Sequence, residues 1–159
     1  MEKFLNLPVE KQNLIIDSAL KIFAVHGYKK TSISDIASSA GISKAMVFHY
    51  FGTKKELYLY LVNTCVGSIS TEVIEKFDES MTDLFDRIAY TSKLKMNLMK
   101  THPYVSPFIQ SAYFENDDDV KEELKTIFSK GDGRTIGKKM TFDGADLSKF
   151  KDDVDPNLV

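Results

Sequence analysis

The chain of 159 residues has one cysteine, Cys65, so no disulfide can form within it, and such sparing use of thiols suits a reducing cytoplasm. No apolar run approaches the roughly 18 residues needed to cross a bilayer. The N-terminus also lacks the pattern of a secretory signal, so a cytoplasmic protein away from the membrane is expected. His26, His49 and His102 are far apart, and no pair of them has the spacing of metal ligands on a helix. Gly131-Asp132-Gly133 is not a dinucleotide fingerprint, and no P-loop is present. Asp117-Asp118-Asp119 lacks the downstream glycine and glutamate of a calcium loop, which leaves it as an anionic helix start. Cys65 falls inside an expected helix with no histidine nearby in sequence and reads as a buried, inert thiol. Nothing here points to catalysis, a metal or a cofactor. Strand-like alternation and internal repeats are missing too, so the expected class is all-α.

What is present is ordinary in bulk and uneven in detail. Hydrophobic residues make up 43% and charged residues 28%, the balance of a globular protein with one good core or a small head on a larger body. The net charge of −2 conceals a division. Residues 1–60 hold eight lysines against five carboxylates, a balance of +3, whereas residues 61–159 hold 13 Lys/Arg against 18 Asp/Glu, a balance of −5. A basic N-terminal part suits a surface that faces phosphates; the acidic remainder should stay off nucleic acid.

The basic part contains the most informative run, Thr31 to Leu57, TSISDIASSAGISKAMVFHYFGTKKEL. Ile36, Ala37 and Ala40 fall on one helical face, and Val47 and Phe51 on another. Gly41 stands where one helix must stop in a left-handed conformation, and Ser43 can cap the next. The spacing predicts helices over about 9–26, 33–40 and 44–51, with Pro8 and Gly27 flanking the first and Ser32 and Asp35 in capping-box-like spacing at the second. That is a helix-turn-helix, in which a short second helix enters the major groove. Lys44, Ala45, Met46 and His49 are the outward candidates: Lys44 to donate to guanine, Ala45 or Met46 to touch a thymine methyl. Thr31, Ser32 and Ser43, near helix N-termini, can reach phosphates. Ile36, Ala37, Ile42, Val47 and Phe51 read as core.

Thr31–Ala37, Ala40–Ser43, Val47–Phe51 and Lys54–Leu57, with Ile15, Ala19, Leu20, Ile22, Phe23 and Gly27-Tyr28 upstream, resemble the DNA-binding domain of the tetracycline-repressor (TetR) family. The resemblance covers about the first third of the chain. It implies that Tyr50 and Lys54 hold backbone phosphates, and it places a DNA-binding domain at 1–53 and an effector-binding and dimerisation body at 54–159. Phe48 stands where the family usually has tyrosine, and Ala45 where it often has glycine. The function implied is a transcriptional regulator, a repressor that binds a near-palindromic operator as a homodimer and is released by a small apolar or amphipathic effector. The alternative is a helical ligand-binding or interaction protein that has lost specific DNA binding.

Beyond residue 53 the pattern predicts a long linking helix from Lys54 to Phe77, a fifth opening at Ser80 or Thr82 and ending near Thr101, a sixth over 104–115, and a seventh starting at Asp117–Asp119. After Phe128, four glycines either break the seventh helix or are tolerated within it. Phe85, Ile88, Met96 and Met99 form an apolar stripe, with Tyr104, Phe108, Tyr113 and Phe128 adding aromatic bulk. Such spacing fits plain core; the family resemblance implies that these eight line an effector pocket, where methionine would allow adaptation. Asp155-Pro156 reads as another helix entry close to the chain's end. The resemblance implies two further, dimer-forming helices there, so the body is expected to be incomplete.

Overall fold

The computed structural model describes residues 2–130 and 133–149. Among these, the regular elements are all α-helical, and a lone bridge pairs Asp83 with Asp146. The order is α1 (Glu2–Leu5), α2 (Val9–Lys30), α3 (Ile33–Ser39), α4 (Lys44–Phe51), α5 (Lys54–Lys76), α6 (Leu84–Thr101), α7 (Val105–Tyr113), α8 (Lys121–Lys130) and α9 (Gly133–Phe142). We refer to α1–α4 as the head and α6–α9 as the body, with α5 running from one into the other.

The head follows the sequence pattern closely. Ser32 caps α3 by accepting from the Ser34 N–H at 3.1 Å, and Ser43 caps α4 by accepting from the Met46 N–H at 3.2 Å. Between them Gly41 has φ +64°, and the Ile42 N–H returns to the Ala37 carbonyl at 2.9 Å to close α3. No atom would obstruct a side chain at Gly41, so backbone conformation alone calls for glycine. Ile36, Ala37, Val47 and Phe51 are buried and Ile42 is half-buried.

Two features of the head depart from expectation. The first helix continues past His26 to Lys30, with a break at Gly27, whose φ of 67° and ψ of −179° are open to glycine alone. The second is α1, four residues with no readable period. Its Phe4 is 1% exposed, and the ring lies 4.8 Å from that of Phe51, 6.2 Å from Tyr50 and 6.1 Å from Tyr60. Gln12 ties the segment down by donating to the Leu5 and Leu7 carbonyls.

One continuous core joins head to body. Phe23 of α2, Tyr58 of α5 and Phe108 of α7 meet ring against ring at 4.8–6.2 Å, and Leu57, Leu61, Val62, Ala112, Val120 and Leu124 extend the cluster. In the body, helix α6 opens at Leu84 rather than at Ser80 or Thr82, because Asp83 caps it by accepting from Phe85 and Asp86 N–H. Helix α7 is shorter than expected, Val105–Tyr113, and α8 begins at Lys121, after the acidic triplet. The helix after Phe128 stops at Lys130 and a new one, α9, contains Gly137. Buried Arg87 fastens α6 to the end of α9 by donating to the carbonyls of Met81, Met140 and Asp143. The expected helix entry at Asp155-Pro156 lies outside the described residues.

Candidate nucleic-acid interface

Helix α4 turns Val47, Tyr50 and Phe51 inward and Lys44, Ala45, Met46, Phe48 and His49 outward. A period of 3.6 and an apolar anchor produce this split. Met46 is 36% and Phe48 40% exposed, and both are large apolar side chains that solvent alone does not favour. Lys44 extends over the Phe48 ring, its Nζ 5.9 Å from the centroid, so the cation is at the edge of that face. Ser43, exposed at the helix start, completes the set, and Ser32 is half-buried at the start of α3. Both hydroxyl oxygens already accept a capping N–H, leaving their own O–H free to donate.

Three expected phosphate contacts are placed differently. Thr31 is 4% exposed and its hydroxyl donates to the Gly27 carbonyl at 2.7 Å, closing the broken end of α2. Tyr50 is 4% exposed, its ring set among Phe4, His49 and Phe51. The Lys54 ammonium donates to the carbonyls of Tyr28, Thr31 and Lys29 at 3.1, 3.4 and 3.5 Å and stands 4.4 Å from the centre of the Tyr28 ring. A cation at a helix C-terminus satisfies orphan carbonyls and complements the dipole. Sequence reading missed this partnership because it joins residues 23 to 26 positions apart. It missed Phe4 as well, because the rings that Phe4 packs on, Tyr50, Phe51 and Tyr60, are remote in sequence.

The expected effector residues are spread over the body, with only the rings of Tyr113 and Phe128 meeting, at 5.5 Å. Phe85, Met96, Met99 and Tyr113 are each more than half exposed, and Ile88, Tyr104 and Phe128 are half-buried. Phe108 is fully enclosed by the aromatic core. Open clefts of about 540 and 450 Å³ run along α5, one lined by Asn63, Thr64 and Thr71, the other by Leu59, Glu122 and Ile127. None of the eight anticipated residues borders either cleft. Cys65 is buried, and burial pushes its thiol up to about 12.

A capped helix with a mixed polar and apolar outer face, braced by two others and continued into a helical body, has the architecture of a helix-turn-helix protein. Residues 15–61 match the family model described as bacterial regulatory proteins, tetR family. Over these residues, the helix-turn-helix and the helices flanking it, the chain is similar to that family. It is 29% identical over 121 residues to the uncharacterized HTH-type transcriptional regulator YuxN of Bacillus subtilis strain 168, a match covering 74% of this chain and 40% of YuxN. It is 33% identical over 66 residues to Staphylococcus aureus IcaR, described as a negative regulator of the biofilm operon icaADBC, covering 42% of this chain and 36% of IcaR. The chain thus spans less than half the length of these relatives. The fold matches that of FadR from Bacillus subtilis, solved in complex with stearoyl-CoA, with a TM-score of 0.65 at 21% identity, covering 91% of this chain and 76% of FadR. Among the described residues, no helix is long and apolar enough to cross a membrane.

Proposed function

We propose that the protein is a sequence-specific DNA-binding transcriptional regulator, a cytoplasmic repressor. The outward face of α4 carries the reading: five side chains of mixed donor and apolar character, on a helix whose N-terminus is capped and whose opposite side is fully buried. Lys44 addresses guanine N7 and O6, and Ala45 and Met46 sit where thymine methyls are read. His49 and the free O–H groups of Ser43 and Ser32 address the flanking backbone. Thr31, Tyr50 and Lys54 act indirectly, by holding the scaffold.

Negative regulation follows the description of IcaR, and release by an apolar or amphipathic effector follows the ligand of FadR. On this reading residues 1–53 bind DNA, and the body from 54 onward receives the effector and pairs with a second copy, so that two α4 helices engage a near-palindromic operator. Phe108 is committed to the core and neither cleft along α5 gathers the other anticipated residues, so the reading assigns the effector to the body without naming its lining. Selection from random duplex DNA tests the proposal. A single enriched motif that shifts in a gel and loses its preference at one base pair in Lys44→Ala supports it; a pool that stays random removes it.

A further inference from the structure

The helix-turn-helix unit α3–α4 has two chain connections, through Tyr28 at the end of α2 and through Lys55 at the start of α5. Both are held by one acidic segment of the body, the turn between α7 and α8 with the first turn of α8. Glu115 divides its carboxylate between the two sides: one oxygen accepts the Tyr28 N–H at 2.9 Å, the other the N–H groups of Asn116 and Asp117 at 3.0 and 3.1 Å. Asp119 accepts the Tyr28 hydroxyl and stands 3.9 Å from the Lys55 ammonium, which Glu123 meets at 2.7 Å. Gly27 makes the first of these bonds possible. Its positive φ breaks the helix just before Tyr28, and any Cβ there would come within 3.4 Å of the Glu115 carboxylate. Lys54, bonded to the carbonyls of Tyr28 and Thr31, then locks the two connections to each other.

We propose that this acidic segment is the strap that fixes the attitude of the DNA-reading head on the body, with Glu115, Asp119 and Glu123 as positioning residues for DNA recognition. The proposal deepens the DNA-binding reading and rests on it. None of the three belongs to the outward face of α4, and all are negative. Their direct electrostatic effect on a nearby duplex is repulsive, so neutralising them would tighten binding if charge were all that mattered. A strap has the opposite sign. Without it the head samples other orientations, and binding to the selected duplex is reduced by the fraction of time it is correctly posed. A change at the turn would move both connections of α3–α4 together, beside the core that α2, α5 and α7 share.

The experiment compares the full chain with Glu115→Gln/Asp119→Asn/Glu123→Gln, and with Asp119→Asn alone as the milder variant. Two readouts are taken: affinity for the selected duplex and for a scrambled one, and hydrogen exchange of the Tyr28 amide without DNA. The strap predicts about tenfold weaker binding to the selected duplex, scrambled-duplex binding unchanged or tighter, and about tenfold faster Tyr28 exchange. The thermal transition should shift little, since the two lost ion pairs of Lys55 are partly exposed. Equal tightening on both duplexes would overturn the proposal, leaving the carboxylates as plain charges. So would unchanged Tyr28 exchange in both variants. If the triple variant does not fold, Asp119→Asn decides by the same two readouts. Should the parent protein select no DNA sequence, the DNA-binding reading fails, whereas Tyr28 exchange still decides whether the segment holds the head.

Discussion

Phe4→Ala probes the least expected part of the fold. A four-residue helix has no stability of its own, so α1 is held by what Phe4 buries. The side chain is 1% exposed and its ring meets Tyr50, Phe51 and Tyr60, two of which form the inward face of α4. Deleting a fully buried phenyl group costs about 3–5 kcal/mol. Allowing for partial collapse of the site, we expect about 3 kcal/mol. With a urea dependence of about 2 kcal/mol per molar, the midpoint falls by about 1.5 M. Denaturation followed by far-ultraviolet circular dichroism measures this, and Phe4→Leu should give a smaller fall. At denaturant-free, low-temperature conditions where the variant remains folded, specific DNA binding should weaken more than non-specific binding, since Tyr50 and Phe51 lose their backing. A midpoint shift below about 0.5 M would mean that α1 is not docked and would refute the reasoning.

Other outcomes follow from single positions. Gly27→Ala, forced to φ 67°, should lose about 1–3 kcal/mol in the same denaturation assay, whereas a neutral result would place Gly27 in an ordinary helix. Phe48→Tyr adds a donor to a half-exposed ring beside Lys44; operator affinity should improve by about 0.5–1.5 kcal/mol, and weaker binding would show that the ring contacts a base or sugar instead. Burial lifts the Cys65 thiol to about 12, so at pH 8 it should resist a thiol reagent until denaturant is added. The same shift makes this group lower folding stability as pH rises from about 9 toward 12, because the unfolded chain loses the thiol proton first. Rapid labelling of the native protein would contradict the burial.

The head was legible because its signals are local. Gly41 and Ser43 fix where α3 ends and α4 begins, and the apolar period of α4 separates Val47 and Phe51 from Lys44 and Met46 without reference to any other element. Helix α1 was illegible because four residues hold no period; its order comes from aromatic residues some 46 positions or more downstream. Thr31 was assigned to phosphate from its place near a helix N-terminus and Lys54 from the family resemblance; their bonds to the carbonyls of Gly27 and of Tyr28, Lys29 and Thr31 follow from the break at Gly27, which spacing alone does not show. The start of α6 went to Ser80 or Thr82 rather than Asp83, since every one of these residues can cap and sequence does not rank them. The stripe Phe85–Met96–Met99 has true helical spacing, yet spacing fixes only that the residues share a face. It does not fix what covers that face.

The central claim is that α4 reads DNA, and salt-dependent binding of the selected duplex tests it most directly. Fluorescence anisotropy across about 50 to about 200 mM salt should give a falling line of log affinity against log salt, with a scrambled duplex well below it at each concentration. Lys44→Ala should lose about 1–3 kcal/mol of discrimination at one base pair while binding to scrambled DNA changes little. Equal affinity for the selected and scrambled duplexes, unaltered in Lys44→Ala, would contradict the account.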